Sequence, residues 1–271
     1  MVMKIKELDQ EVVDRIAAGE IIVQPANALK ELLENSIDAG ASVIDILVKD
    51  GGLKLLQVTD NGSGIEKDDL VLLCQRFATL KLAVYEDLQS IATYGFRGEA
   101  LASISHVAHL TVFTKTAESS VAYKSFYNNG RLTDHTFSAG TEGSPKPVAG
   151  RTGTQISIED IFYNAPGRKR ALKSKNEELI KILDVAGRYA VHSSVGITCK
   201  KFGESHNLLT TRPGQPLKER IRSVFGSLVA TELIEFELDD VGKELGLLSC
   251  KGAITSANYS NKKKIPPVFF I

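Results

Sequence analysis

Cysteine is scarce in this sequence, and its charges balance. The three cysteines, Cys74, Cys199 and Cys250, lie far apart and form no C-x-x-C pair. This spacing indicates neither a disulfide framework nor a zinc site, and it fits free thiols in a reducing compartment. Lysine plus arginine and aspartate plus glutamate both total 33. A neutral chain has no global field that attracts nucleic acid or an anionic membrane, so any DNA contact must come from a local patch.

Long apolar runs and the common phosphate-binding motifs are also missing. No stretch approaches the ~20 apolar residues of a membrane span. The first residues alternate charged and apolar types instead of forming the apolar core of a signal peptide. We therefore expect a soluble chain in the cytosol or nucleus, without a membrane partner. The motif G-x-x-x-x-G-K-[ST] does not occur, and Lys67 occupies the place of the third glycine of a dinucleotide-binding fingerprint.

What is present is enough apolar material for a buried core and a regular succession of elements. The chain has 271 residues, 43% of them hydrophobic, a length that suggests about two domains. The patterns predict helices over 9–37 with a break at Pro25, and over 68–78, 98–104, 175–192 and 217–225. They predict strands over 42–49, 53–59, 107–115, 121–127, 154–161, 233–238 and 247–253. Residues 134–153 are predicted to form a surface loop.

Two features of this order predict the organisation of the chain. A helix followed by an antiparallel hairpin argues against a parallel nucleotide-binding fold made of strand-helix-strand units. A change of composition near residues 203–214 predicts a domain boundary, which gives domains at 1–205 and 206–271.

The predicted helix over 28–39 has two unlike faces. Its apolar face consists of Leu29, Leu32, Leu33 and Ile37, and its polar face consists of Glu31, Glu34, Asn35 and Asp38. An ordinary amphipathic helix with its acidic side in water explains most of this pattern. Asn35 favours a second interpretation, because asparagine is a poor helix former in mid-helix. A carboxylate and an amide oxygen one turn apart suit a water-activating base beside a hard cation.

Two glycine-containing segments are further candidates for a binding site. Asp60 directly follows a predicted strand and begins D-N-G-S-G-I, where it can accept a hydrogen bond from an exocyclic amine such as that of adenine. A plain turn is the alternative interpretation. In residues 93–101, Gly95 and Gly98 lead into a predicted helix whose free N–H groups suit an anion. A generic loop-to-helix junction or a clamp on a nucleic-acid backbone remains open there. Thr154, which opens a strand, contributes one hydroxyl.

Taken together and in this order, the motifs resemble the ATPase superfamily of gyrase B subunits, heat-shock chaperones, histidine kinases and MutL. The signatures most similar to MutL are I-A-A-G-E-I-I at 16–22, P-A-N at 25–27, K-E-L-L-E-N-S-I-D-A at 30–39, D-N-G-S-G-I at 60–65 and Y-G-F-R-G-E-A-L-A-S-I at 94–104. S-I-S-H-V-A-H at 103–109 and N-Y-S-N-K-K-K at 258–264 resemble the eukaryotic MutL homologue 1 branch. The run at 94–104 argues against a gyrase-like subunit.

The resemblance implies a fold and a set of site residues. The fold is α+β, with helices on one face of a mixed, largely antiparallel sheet of the Bergerat type. Residues 206–271 are expected to begin a smaller α/β domain like ribosomal protein S5, cut short at Ile271. Glu31 is expected to be the general base and Asn35 the Mg²⁺ ligand, and Asp60 is expected to bind the adenine amine. The other expected ATP contacts are Gly64, Thr79, Lys81, Phe96, Arg97, Gly98, Glu99, Ala100, Leu101 and Thr154.

The resemblance also implies a function. It predicts an ATP-binding, slowly hydrolysing switch of DNA mismatch repair in the nucleus, in which ATP orders a lid and drives dimerisation. The implied partners are a MutL paralogue, a MutS-type mismatch-recognition complex and DNA. A local basic patch suits DNA, although a solvated surface explains it equally well; it comprises Arg168, Lys169, Arg170, Lys173 and Lys175.

Two departures from the family pattern favour an alternative, a nucleotide-binding and interaction module without useful turnover. Leu80 stands where the family usually has serine, between Thr79 and Lys81. The family's γ-phosphate lysine would lie beyond Ile271. We therefore expect slow turnover and weak ATP-driven dimerisation. We also expect residues 83–97 to be mobile without nucleotide, since they carry few apolar anchors.

Overall fold

The structure is a computed structural model that describes residues 6–78, 93–95, 98–138, 140–239, 242, 246, 249–257, 259–260 and 267–270. Its helices are α1 (Gln10–Ile21), α2 (Pro25–Asp38), α3 (Ala100–Val107), α4 (Pro166–Ala171), α5 (Lys175–His192), α6 (Leu217–Phe225) and α7 (Ser227–Thr231). Its strands are β1 (Val43–Lys49), β2 (Leu55–Asp60), β3 (His109–Lys115), β4 (Ala122–Asn128), β5 (Arg131–Thr133), β6 (Lys146–Val148), β7 (Gly153–Glu159), β8 (Gly196–Lys201), β9 (Asn207–Thr210), β10 (Leu233–Asp239) and β11 (Ser249–Thr255).

Nine strands form one mixed, largely antiparallel sheet. The order across it is β5-β4-β3-β7-β2-β1-β8-β9, with β6 paired to β4. The β1–β8 pair is parallel, with Ile44 opposite Ile197, and the other strand pairs of this sheet are antiparallel. Three pairs in this order, β3–β7, β2–β7 and β1–β8, join strands that are far apart in sequence. The predicted α+β class with a largely antiparallel sheet is confirmed.

The core lies between one face of this sheet and the helices. Alternate residues of the central strands are buried, among them Ile44, Ile46 and Val48 of β1. Helices α2, α3 and α5 lie against this face. On α2 the predicted apolar stripe meets the core, because Leu29, Leu32 and Leu33 are almost fully buried. Burial of such aliphatic side chains stabilises a fold by about 1.5–3 kcal/mol each.

The predicted helix over 68–78 is wrong beyond its first turn. A 3-10 helix covers only Asp68–Val71, and turns follow it. The hydroxyl of Tyr127 donates to the carbonyl of Leu70 at 2.8 Å, which occupies an acceptor that a continuing α-helix would use. Phe77 then takes a left-handed backbone φ of 61°, which a regular helix excludes.

The predicted loop over 134–153 contains one short strand. Strand β6 pairs with β4 and places Tyr123 opposite Pro147. Three residues that include a proline give no alternating pattern, and proline is confined to positions where its missing N–H is not needed. The sequence therefore carries no signal for this strand.

The sheet continues across the boundary predicted after residue 205. Strand β9 pairs with β8, and the N–H of Thr211 donates to the carbonyl of Ile197 at 2.9 Å. Strands β10 and β11 form a separate antiparallel pair among the described residues. The division into two domains stays a prediction, and β9 belongs structurally with the larger sheet. Across the residues that the structure describes, no helix is both long and apolar enough to cross a membrane.

Candidate functional site

A cavity of about 1030 Å³ opens beside helix α2 and the start of helix α3. The predicted site residues that line it are Glu31, Asn35, Asp60, Gly64, Gly98, Glu99, Ala100, Leu101 and Thr154. Four other predicted residues, Thr79, Lys81, Phe96 and Arg97, lie outside the described residues, and so do Leu80 and most of the segment 83–97 that was expected to be mobile. The fold therefore brings together every predicted site residue that it describes, although these come from four distant segments.

Helix α2 presents its polar face to the cavity. Glu31 and Asn35, one turn apart, both line it, and the Glu31 side chain keeps 30% of its surface exposed. An acidic helix face in water would leave Glu34 exposed. The structure buries Glu34 instead, with only 6% of the residue exposed. The ammonium of Lys30 and the hydroxyl of Tyr189 both donate to the Glu34 carboxylate, and this compensates for its burial.

Asp60 closes one side of the cavity at the end of strand β2. Its Oδ1 accepts hydrogen bonds from the N–H groups of Gly62 at 2.9 Å and Thr154 at 3.2 Å. Its Oδ2 accepts one from the Ser36 hydroxyl of α2 at 2.8 Å. Burial raises the pKa of Asp60, and these three hydrogen bonds oppose the rise. The carboxylate is thus held in one orientation by strand, turn and helix together.

The turn after Asp60 brings backbone directly against strand β3. Gly64 has a φ of 79°, and a Cβ there would lie 2.1 Å from the carbonyl oxygen of Lys115. The N–H of Ile65 donates to the Thr114 hydroxyl at 2.9 Å, and that hydroxyl lies 3.0 Å from the hydroxyl of Thr154. The buried Thr114 therefore ties the turn to strand β7.

The segment that leads into α3 is anchored to α2 by a carboxylate. Asp38 accepts hydrogen bonds from the N–H groups of Tyr94 and Gly95, each at 3.0 Å. Gly98 has a φ of 62°, and a Cβ there would lie 2.5 Å from the carbonyl oxygen of Ala78. Helix α3 then begins at the cavity wall, where the free N–H groups of a first helical turn favour an anion.

Sequence reasoning missed several residues that hold this site in shape. Ser36, Thr114 and Tyr189 each contact a site residue or its neighbour. Ser36 lies within the signature at 30–39 but received no role, and Thr114 and Tyr189 lie in none of the quoted motifs. Asp38 was assigned to the polar face of α2 without a role. Its partners lie more than fifty positions away in the chain, so sequence spacing gives no hint of the contact.

The residues of the cavity fit a nucleotide with magnesium. Pockets for small molecules and cofactors typically measure roughly 300–1,000 Å³, and this cavity lies at the upper end of that range. A fixed, half-buried carboxylate at Asp60 suits an exocyclic amine, and the start of α3 suits phosphate. Among the described residues, no group of three or more His, Cys, Asp or Glu side chains could hold a metal. Mg²⁺ needs no such group, since it binds through one or two protein oxygens, waters and substrate phosphates.

Comparison with known protein families identifies the class to which this domain belongs. Residues 23–138 match the family described as histidine kinase-, DNA gyrase B-, and HSP90-like ATPase. The matched range includes helix α2 and much of the lining of the cavity beside it. The chain thus carries an ATPase-type domain of that superfamily.

Relatives over the whole chain are more specific. The chain is 54% identical to the DNA mismatch repair protein MLH1 of Saccharomyces cerevisiae, over 100% of this chain and 34% of that protein. It is 40% identical to the DNA mismatch repair protein MutL of Lactobacillus acidophilus, over 93% of this chain and 38% of that protein. The chain belongs to the MutL family. It spans about a third of the length of these curated relatives.

Solved structures agree with this fold. The crystal structure of the N-terminal domain of a DNA repair protein superposes with a TM-score of 0.75 at 28% identity, over 93% of this chain and 75% of that one. The Aquifex aeolicus MutL ATPase domain complexed with ADP superposes with a TM-score of 0.60 at 24% identity, over 81% of this chain and 74% of that one. The second likeness supports the fold alone.

Proposed function

We propose that this chain binds ATP with magnesium and hydrolyses it slowly, as a switch in DNA mismatch repair. The observation that carries the proposal is a single cavity that combines Glu31 and Asn35 with Asp60 and the start of helix α3. These groups supply a base, a cation ligand, an adenine acceptor and an anion site. Membership of the MutL family supports the choice of ATP.

Each residue has a separate part in the proposed reaction. Asp60 accepts a hydrogen bond from the adenine amine, and Gly64 keeps the wall beside it free of a side chain. The N–H groups at the start of α3 hold phosphate oxygens. The carboxylate of Glu31 orients a water molecule and takes its proton as the water attacks the γ-phosphate. Asn35 would hold the magnesium ion, which neutralises charge on the phosphates when bound.

Replacement of Glu31 by alanine tests the proposal. A base that acts on the attacking water stabilises the transition state and adds little to ground-state affinity. We expect Glu31→Ala to retain ATP binding and to lower the single-turnover hydrolysis rate by about 10²–10⁴-fold, the usual contribution of a general base. The exposed Glu20 of α1 provides a matched control, Glu20→Ala, with an unchanged rate. A loss of affinity in step with the rate would make Glu31 a structural carboxylate.

A second candidate function is nucleotide binding and partner interaction without useful turnover. Leu80, at a position where the family usually has serine, favours it. The same single-turnover assay separates the two functions. Bound ATP that persists unchanged in the parent chain, with a dissociation constant insensitive to Glu31→Ala, supports the binding module.

The wider role follows from the relatives. We propose that the protein acts in the nucleus, pairs with a MutL paralogue and contacts a MutS-type mismatch-recognition complex. For DNA, four of the five predicted basic residues are exposed, namely Lys169, Arg170, Lys173 and Lys175. Arg168 instead lies half-buried against Gly19 of α1, and Lys175 pairs with Asp50 at 2.7 Å. The proposed DNA contact therefore rests on three cations of the predicted five.

A further inference from the structure

Three polar side chains connect helix α5 with the proposed base on helix α2. Tyr189 of α5 donates its hydroxyl hydrogen to Oε1 of Glu34. The ammonium of Lys30 donates to the other oxygen, Oε2, at 2.8 Å. The same ammonium lies 3.6 Å from Oε1 of Glu31. The chain of contacts thus runs from α5 to the wall of the cavity.

Helix geometry alone does not produce the contact between Lys30 and Glu31. Consecutive residues of an α-helix point in directions about 100° apart, so side chains at i and i+1 do not face each other. Glu34, one turn further along, holds the Lys30 ammonium in the place from which it reaches Glu31. A lysine side chain otherwise has about 2 kcal/mol of rotamer freedom. Glu34 removes much of that freedom.

The protonation states keep this network intact near neutral pH. Burial raises the pKa of the Tyr189 hydroxyl, and the hydrogen bond to Glu34 raises it further, so Tyr189 remains a donor. Burial lowers the pKa of Lys30, but Glu34 and Glu31 outweigh this effect and raise it overall. Lys30 therefore remains an ammonium ion, as its position between two carboxylates requires.

We propose that Tyr189 and Glu34 are positioning residues, which hold the Lys30 ammonium beside Glu31 and thereby orient the Glu31 carboxylate in the cavity. The inference rests on the proposed hydrolysis, because it assigns supporting parts for the same base. Lys30 itself lines the cavity. A direct contact between Lys30 and the nucleotide is the competing explanation, and it differs in its effect on affinity.

Removal of one hydroxyl tests the network kinetically. We expect Tyr189→Phe to lower the single-turnover rate by about tenfold, the loss typical of one hydrogen bond to a buried charged group, with an unchanged dissociation constant for ATP. Lys30→Met is expected to lower the rate at least as much, and Lys30→Arg to recover most of it. The control Tyr163→Phe removes the hydroxyl of an exposed tyrosine that does not line the cavity and that donates to Asn128 at 3.4 Å. An unchanged rate in Tyr189→Phe, or equal losses of rate and affinity, overturns the proposal.

A second measurement tests the effect of Tyr189 and Lys30 on the Glu31 carboxylate without any hydrolysis of ATP. In the ligand-free chain, labelled with ¹³C at the glutamate carboxyl carbons, Glu31→Gln identifies the Glu31 signal by its disappearance. We expect this signal to shift in Tyr189→Phe and in Lys30→Met, and to stay in place in Tyr163→Phe. A Glu31 signal that ignores the loss of the Tyr189 hydroxyl overturns the inference. If the parent chain fails to hydrolyse ATP, the proposed function fails, while this spectrum still reports on the network.

Discussion

At the scale of single residues, Gly64 and Gly40 form a natural pair for comparison. Both have a left-handed backbone, with φ of 79° and 72°. A Cβ at Gly64 would meet the backbone oxygen of Lys115 at 2.1 Å, whereas a Cβ at Gly40 would meet nothing within 4 Å. The first position lies on the cavity wall and the second on the surface. Substitution of both glycines therefore separates the cost of a left-handed backbone, which the two positions share, from the cost of the steric clash, which only Gly64 has.

We expect Gly64→Ala to lower the free energy of unfolding by about 3 kcal/mol or more, since a left-handed alanine costs about 1 kcal/mol and the backbone clash adds to it. Gly40→Ala is expected to lower the free energy of unfolding only by the conformational cost of about 1 kcal/mol. Urea denaturation of both variants measures the difference. Titration with ATP should show lost affinity for Gly64→Ala alone. Equal losses of stability would mean that the turn moves away from strand β3 without penalty.

Asn35 carries the second prediction at this scale. An amide oxygen that binds magnesium contributes only when magnesium accompanies the nucleotide. We expect Asn35→Ala to weaken magnesium-dependent ATP binding by at least about tenfold, because one contact to a charged group is lost. The affinity for ADP without magnesium should stay within about twofold of the parent value. Isothermal titration calorimetry measures both constants. Asn207→Ala, on the exposed start of β9, is the control. Equal losses with and without magnesium would exclude Asn35 as the metal ligand.

The residues that the sequence could and could not predict differ in a physical way. Glu31, Asn35 and Asp60 stand out because a short motif carries each of them. Thr114 and Tyr189 do not, because their importance lies in partners brought close by the sheet and by helix packing. Helical periodicity indicates the face on which Glu34 lies. It does not indicate that a tyrosine from α5 covers that face.

At the scale of elements, a lysine of helix α5 connects a buried carboxylate of its own helix with the residue that precedes α2. Glu178 of α5 is fully buried, and the Lys181 ammonium donates to its Oε1 at 2.7 Å. The same ammonium donates to the side-chain oxygen of Gln24, just before α2, also at 2.7 Å. One lysine thus compensates a buried carboxylate and fixes the start of the helix that carries Glu31.

We expect Lys181→Met to lower the free energy of unfolding by about 3 kcal/mol, because it leaves a buried carboxylate without its counter-charge. The exposed pair of Arg188 with Asp184 at 2.8 Å supplies the control. Arg188→Met should cost less than about 1 kcal/mol. Chemical denaturation measures both. If Lys181→Met costs no more than the control, Glu178 takes up a proton or finds other donors.

Elements were predictable where their patterns were long and periodic. Helices α5 and α6 have the predicted bounds, and Pro25 begins α2 where a break was expected. Strand β6 and the turns after Val71 were not predictable, because a strand partner and the Tyr127 hydroxyl decide them. Tertiary hydrogen bonds override a weak local preference in both places.

At the scale of the whole molecule, two partly desolvated histidines link stability to pH. His106 lies in α3 and is almost fully buried, and His192 ends α5, where its ring stacks on Phe270 at 3.7 Å between centroids. Burial lowers the pKa of both imidazoles, with Arg76 contributing for His106 and Arg220 for His192. Nearby Asp14 opposes this effect at His106 without cancelling it. Both rings therefore favour the neutral form in the folded protein.

The sign of the resulting pH dependence follows from proton binding. Below the ordinary histidine pKa of about 6.5, the unfolded chain takes up protons that the folded chain still refuses. The free energy of unfolding therefore falls as the pH drops through 6.5 toward the lower pKa values of the folded state. Each proton contributes a slope of at most about 1.4 kcal/mol per pH unit.

We expect the double variant His106→Gln, His192→Gln to show a flatter decline between about pH 7 and pH 5, a window above the ordinary titration of carboxylates. Urea unfolding at three or four pH values in this range measures the slope. His135→Gln, on the exposed loop after β5, should retain the slope of the parent chain. The comparison of slopes does not depend on how much absolute stability each substitution removes. A double variant with the parent's slope would show that other groups, distributed over the sheet and its helices, set the acid stability of this fold.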